Sequence, residues 1–233
     1  MRDPKLHDIP PGIFIPVAEA KGLIVPIGQW VLEEVCRQIA QWNRRGLGWV
    51  SVAINVSPIQ FARCDFSQII RGYLDRYGVP SECLEIELTE NQLMSGSADT
   101  RSQMEELRSA GIQLSIDDFG TGYSSLSSLF RLQLDTIKLD RSFVLSVATD
   151  QAARRIVQAM LGLANALGLK VVAEGVETEA QRDVLISMGC PYMQGYLFGR
   201  PLDAFGFEQM LRARLPENDD LHRLFISTQA VSV

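Results

Sequence analysis

Apolar runs of two lengths alternate along the chain. The short ones are VSVAINVS (50–57), LEIELTE (84–90), QLSIDDF (113–119), DTIKLD (135–140), KVVAEGVE (170–177) and YMQGYLFG (192–199). Their length and β-branched content predict strands. Between them lie stretches in which apolar residues recur at every third or fourth position, which predicts helices. These are IGQWVLEEVCRQIAQWNRRG, DFSQIIRGYLDRYG, DTRSQMEELRSAG, YSSLSSLFRL, DQAARRIVQAMLGLANALG and EAQRDVLISMG, with DAFGFEQMLRARL after the last strand. Gly46, Gly78, Gly111, Gly168 and Gly189 stand where five of these helices should stop, because glycine takes the left-handed backbone of a C-terminal cap at low cost. The strands are nearly all apolar instead of alternating, as strands covered on both faces are. Repeated strand–helix units of this kind predict an α/β fold, either a doubly wound sheet or a (β/α) barrel.

The polar residues inside these runs separate the two. A doubly wound sheet gathers its site at one switch point, usually behind a glycine-rich loop after the first strand. A barrel collects residues from many strands onto one rim. Six runs contribute here: Asn55, Glu87 with Glu90, Asp117 with Asp118, Lys138, Glu174 with Glu177, and Gln194. The barrel is therefore favoured. A complete barrel has about eight strands and the pattern supplies six, so two strands are expected ahead of residue 1. Residues 1–215 are expected to form this barrel domain. Residues 216–233, PENDDLHRLFISTQAVSV, are expected to be a polar linker and tail.

Composition narrows the partners. The net charge is −6 and the isoelectric point about 5.0, which argues against DNA and against a membrane surface as partners. The four cysteines are scattered without a CxxC pair, and no apolar run has the length of a membrane span. Reduced thiols and a cytoplasmic setting are the expectation.

Candidate chemistry centres on LSIDDFGTGYSSL. Adjacent carboxylates repel, and burying either alone is costly, so something positive is expected between Asp117 and Asp118. The remaining candidates, Glu87, Glu174 and Asn55, make an all-oxygen set. The two histidines, His7 and His222, lie near the ends in no ligand spacing. Oxygen donors select Mg²⁺, Mn²⁺ or Ca²⁺. Both aspartates reach one centre only if the strand turns there, which Gly120 and Gly122 permit. A pair of divalent ions about 3.5–4 Å apart fits such carboxylates. Lys138 supplies a cation for a phosphoryl oxygen, and Glu174 a ligand or general base for a water, so the set points to phosphodiester hydrolysis. Each residue alone has a plainer role: a helix cap for the aspartates, a solvated edge for Glu87 and Glu90, a surface lysine, a turn cap for Asn55. The balance is tipped because Glu87, Asp117, Lys138 and Glu174 all sit in otherwise apolar strands, where an unpaired charge is expensive.

These motifs resemble the EAL domains, bacterial phosphodiesterases that cut cyclic di-GMP to linear pGpG with Mg²⁺ or Mn²⁺. PPGIFIPVAEAKGLIVPIGQWVL, AINVSP, ELTEN, DDFGTGYSSL, TIKLDRSF, VVAEGVE and MQGYLFGRPL stand in the family's order between about Arg2 and Leu215. The resemblance implies a modified TIM-type (β/α)₈ barrel, a two-ion site and a homodimer. It implies that Asn55, Glu87, Asp117, Asp118 and Glu174 ligate metal, with Glu174, Lys138 and Asp118 acting in catalysis. By the same resemblance Glu90 holds the DDFGTGYSSL loop, and Glu177 and Gln194 line the site. The Glu-Ala-Leu motif that names the family lies ahead of the matched segment and is absent here. An activity weakened by loss of that ligand glutamate is one expectation. The alternative is an inactive module that binds cyclic di-GMP, or an interaction module in signalling.

Overall fold

The computed structural model describes residues 2–3, 7–90, 93, 98–121, 133–214 and 226–227. In chain order the strands are β1 (Arg2–Asp3), β2 (His7–Asp8), β3 (Val52–Asn55), β4 (Leu84–Thr89), β5 (Gln113–Phe119), β6 (Thr136–Leu139), β7 (Lys170–Ala173), β8 (Tyr192–Met193) and β9 (Ile226–Ser227). The helices are α1 (Pro11–Ala20), α2 (Ile24–Arg44), α3 (Pro58–Arg63), α4 (Phe66–Tyr77), α5 (Ala98–Ser109), α6 (Arg141–Leu145), α7 (Gln151–Ala166), α8 (Glu179–Ser187) and α9 (Ala204–Arg214). They form two compact units. One comprises Met1–Glu85, Ser97–Ile112 and Pro201–Val233, the other Ile86–Gly96 and Gln113–Arg200.

The second unit carries the sheet run β8–β7–β6–β5–β4. Its β5, β6, β7 and β8 are parallel, in registers such as Ile137↔Val171 and Ala173↔Met193. Every residue of β6, Thr136 and Lys138 included, is buried, as the lack of alternation requires. Helix α7 shows why its segment is helical. Asp150 accepts from the Ala152 N–H at 2.7 Å, and Ala153, Val157, Leu161 and Ala164 make one buried stripe at helical spacing. Helix α8 starts in a capping box between Thr178 and Gln181, and the Gln181 amide reaches the Leu145 carbonyl at the end of α6.

In the first unit α2 buries Leu32, Val35, Cys36, Ile39, Ala40 and Trp42. Trp42 packs on Phe207 of α9, ring centroids 5.0 Å apart. The nearly buried Glu208 pairs with both Arg45 and Arg212. Strand β3 takes β9 as a parallel neighbour, Val52↔Ile226 and Ala53↔Ser227, so two residues of the expected tail join a sheet.

Six of the strands are those expected from the apolar runs. Sequence pattern did not reveal α1, α3, α6 or the antiparallel pair β1–β2. Helix α1 has Pro16 inside it and only Ala18 buried, so it offers no clean stripe. Helices α3 and α6 span 6 and 5 residues, too short for a period of 3.6 to declare itself. The expected helix YSSLSSLFRL lies outside the described residues. All four cysteines are free. Among the described residues no helix is long and apolar enough to cross a membrane.

Candidate functional site

Lys138 is the centre of a buried charge cluster in the second unit. Its Nζ lies 2.6 Å from Glu174 Oε1, 2.8 Å from Glu87 Oε1 and 3.5 Å from Asp117 Oδ1. These groups come from four neighbouring strands or their exits: Glu87 from β4, Asp117 from β5, Lys138 from β6, and Glu174 from the residue after β7. Glu87, Asp117 and Lys138 are all at most 4% exposed. Three carboxylates around one ammonium leave an excess of buried negative charge, and each ion's desolvation is repaid only by its partners.

The protonation equilibria follow. Burial pulls the Lys138 ammonium down, but Glu87, Glu174 and Asp117 outweigh it and push its pKa up, so it is charged at any ordinary pH. Glu174 is pushed from 4.5 to about 7, chiefly by burial. Lys138 offsets part of this, while Asp117 and Glu87 add to it.

The adjacent aspartates part company. Asp117 is buried and faces Lys138, whereas Asp118 is exposed. The turn expected at the glycines begins at Asp118 itself, in left-handed backbone with φ +54°, and the β5–β6 register shifts between Ile116 and Phe119. A non-glycine residue held there is a strained feature of the kind that marks functional sites. Gly120 follows with φ +96°. The Asp118 N–H donates to Asp117 Oδ1 at 3.0 Å. Partial burial, then the neighbouring Asp117 and Asp140 carboxylates, raise the Asp118 pKa, and Lys138 offsets part of this.

The buried Glu90 accepts from the Gly120 N–H at 3.0 Å. This joins the end of β4 to the start of the DDFGTGYSSL loop, of which 122–126 lie outside the described residues. Gln194 is half-buried just past β8, its backbone bonded to Ala173 and Val176. Glu177 does not join the Lys138 cluster. Its carboxylate pairs with Arg141 at 2.6 Å and its N–H donates to Gln181 Oε1. Asn55 closes β3 in the first unit with its side chain exposed.

Two residues escaped the sequence reading, Asp140 and Arg141. Asp140 also caps α6 by accepting from the Ser142 N–H at 3.0 Å, and the signal in DTIKLDRSF was the acidic residue directly after an apolar strand.

The all-oxygen donor set and its unbalanced negative charge suit a hard divalent cation. Among the described residues no three acidic, histidine or cysteine side chains are arranged to hold one as they stand; the Lys138 ammonium sits among the carboxylates.

Comparison with known proteins bears on both fold and site. Residues 1–201 match the family described as EAL domain. The bifunctional diguanylate cyclase/cyclic di-GMP phosphodiesterase MucR of Pseudomonas aeruginosa is 44% identical over 203 residues, covering 87% of this chain and 29% of that protein. The signaling protein YkoW of Bacillus subtilis is 41% identical over 202 residues, covering 87% of this chain and 25% of that protein. The chain thus spans a quarter to under a third of the length of these relatives. Among solved structures, the MucR phosphodiesterase in complex with c-di-GMP superposes with a TM-score of 0.83 at 43% identity, covering 88% of this chain and 83% of that one.

Proposed function

The chain belongs to the EAL domain family, with the α/β barrel-type fold of its solved members, and from this premise we propose that it hydrolyses cyclic di-GMP to linear pGpG. The observation that carries the reading is the Lys138 cluster: three carboxylates and one lysine, brought from separate strands to one buried point. The relatives support the substrate, since MucR is a cyclic di-GMP phosphodiesterase by description and its solved structure holds c-di-GMP.

In this proposal Glu87, Asp117, Asp118 and Glu174 are the residues that would hold two Mg²⁺ or Mn²⁺ ions. When bound, such ions lower the pKa of a water and offset charge on the phosphodiester. The chain's own residues do the rest. Glu174, at the exit of β7 beside Lys138, takes the proton of the attacking water as general base. The water oxygen forms a bond to phosphorus, one phosphorus–ribose oxygen bond breaks, and the leaving oxygen takes up the proton that Glu174 accepted from the water. Lys138, permanently charged, keeps Glu174 and Glu87 in place and lends positive potential to the phosphoryl oxygens. Glu90 fixes the backbone at Gly120. Gln194 lines the site. The family premise also supports a homodimer as the assembled form, which light scattering reads directly.

The test is incubation of the chain with cyclic di-GMP and Mn²⁺, with pGpG followed by chromatography. Product that disappears in Asp117→Asn is the expected result. Absence of product in saturating Mn²⁺ overturns the hydrolase reading, and nucleotide binding without product would assign the chain to the family's binding modules instead.

A further inference from the structure

Glu174 begins a tight turn, residues 174–178, that leads from β7 into α8. The turn is held at several points. The Glu174 N–H donates to the Leu139 carbonyl at 3.2 Å, and the Val176 N–H to the Gln194 carbonyl at 3.0 Å. Between them stands Gly175 in left-handed backbone, φ +68°. The stem of Arg141 lies against that glycine so closely that an added Cβ would meet Arg141 Cγ at 2.3 Å and Cβ and Cδ at 2.8 Å. Beyond the glycine, the Arg141 guanidinium takes the Glu177 carboxylate at 2.6 Å. Arg141 therefore grips the turn twice, by its stem at Gly175 and by its charge at Glu177. Its own backbone opens α6 directly after Asp140, the residue that faces Asp118.

We propose that Arg141 is a positioning residue. It does not touch the Lys138 cluster but holds the β7–α8 turn in the one setting that keeps Glu174 Oε1 against Lys138 Nζ. The inference rests on the cyclic di-GMP hydrolase reading for its effect on turnover, and on the fold alone for its effect on the turn. The side chains of Arg141 and Glu177 are 55% and 35% exposed, and an ion pair so open to water contributes little to global stability. A displacement of about 1 Å at a reacting group, in contrast, lowers turnover by up to about 10²-fold. The two consequences are separable.

The experiment compares wild type, Arg141→Ala, Arg141→Lys, and the charge-exchanged pair Arg141→Glu with Glu177→Arg. Turnover of cyclic di-GMP in Mn²⁺ and amide hydrogen exchange in the metal-free protein are both measured. Arg141→Ala is expected to lower kcat about tenfold with KM within about twofold, at an unchanged melting midpoint. Arg141→Lys should keep wild-type kcat, and the exchanged pair should recover part of the loss. The amides of Glu174 and Val176 should exchange faster in Arg141→Ala alone. Wild-type kcat in Arg141→Ala, or unchanged exchange at those amides, would overturn the proposal. So would a loss that Lys does not restore and that tracks a fallen melting midpoint, since that marks a merely structural residue. If wild type itself makes no pGpG, the substrate reading has failed, and the exchange data still decide whether Arg141 holds the turn.

Discussion

Lys138 Nζ and Glu174 Oε1 stand 2.6 Å apart, and this contact ties the middle of β6 to the exit of β7. The pair is part of an uneven group in which one ammonium serves three carboxylates. Removing the lysine leaves those carboxylates buried without a cation. Lys138→Met is therefore expected to cost about 3–5 kcal/mol of stability, the usual consequence of breaking a buried pair from one side. Urea unfolding of the metal-free protein measures it. A cost under about 1 kcal/mol, the range of a surface pair, would show that the cluster is not desolvated as described.

The pH dependence of stability carries a definite sign. Glu174 has a folded pKa raised from 4.5 to about 7, so between those values the folded protein binds more protons than the unfolded chain. Its contribution to stability is most favourable below about pH 4.5 and is lost as pH rises towards 7. In metal-free protein the melting midpoint of wild type should fall over this window relative to Glu174→Gln, which has no proton to lose. Parallel pH profiles for the two would contradict the raised value.

Ser57 joins two helices. Its hydroxyl accepts from the Ile59 N–H at 3.3 Å as the cap of α3 and donates to Glu19 of α1 at 2.6 Å, while Gln60 returns the bond to the Ser57 N–H at 3.0 Å. Ser57→Ala removes the cap and leaves Glu19 short of a donor. It should cost about 1–2 kcal/mol, read by thermal unfolding, with Ser57→Asn recovering the cap but not the Glu19 bond.

How much was legible beforehand varied with the kind of signal. Lys138 announced itself because a lysine inside TIKL has no cheap place in a buried strand, and Glu87 and Asp117 did so for the same reason. The adjacent Asp117 and Asp118 were only half legible: sequence showed that something positive was needed, but not that the second aspartate turns out of the strand in left-handed backbone. Glu177 was expected among the site-lining residues, yet its charge is taken by Arg141. That partner lies 36 positions earlier, and nothing in a local pattern links them. Asp140 stood in the sequence only as the last residue of the DTIKLD run; that it caps α6 and lies beside Asp118 is a property of adjacent strand exits. The short α3 and α6 left too few turns for periodicity to register.

The pairing of β3 with β9 has a consequence in time. The first unit draws on three separated stretches of chain, and its β3 edge waits for Ile226 and Ser227. The second unit is complete once Arg200 has been made. On a ribosome the usual order, earlier segments first, is therefore reversed for these two units. The unit that carries the Lys138 cluster has all its parts once Arg200 is made, while the other unit holds an open strand edge at β3 until Ile226 and Ser227 follow. Long-range parallel pairing of this sort is slow to form, and an edge left open meanwhile is a template for other strands. Between the synthesis of residue 55 and that of residue 226 this edge is open to misassembly.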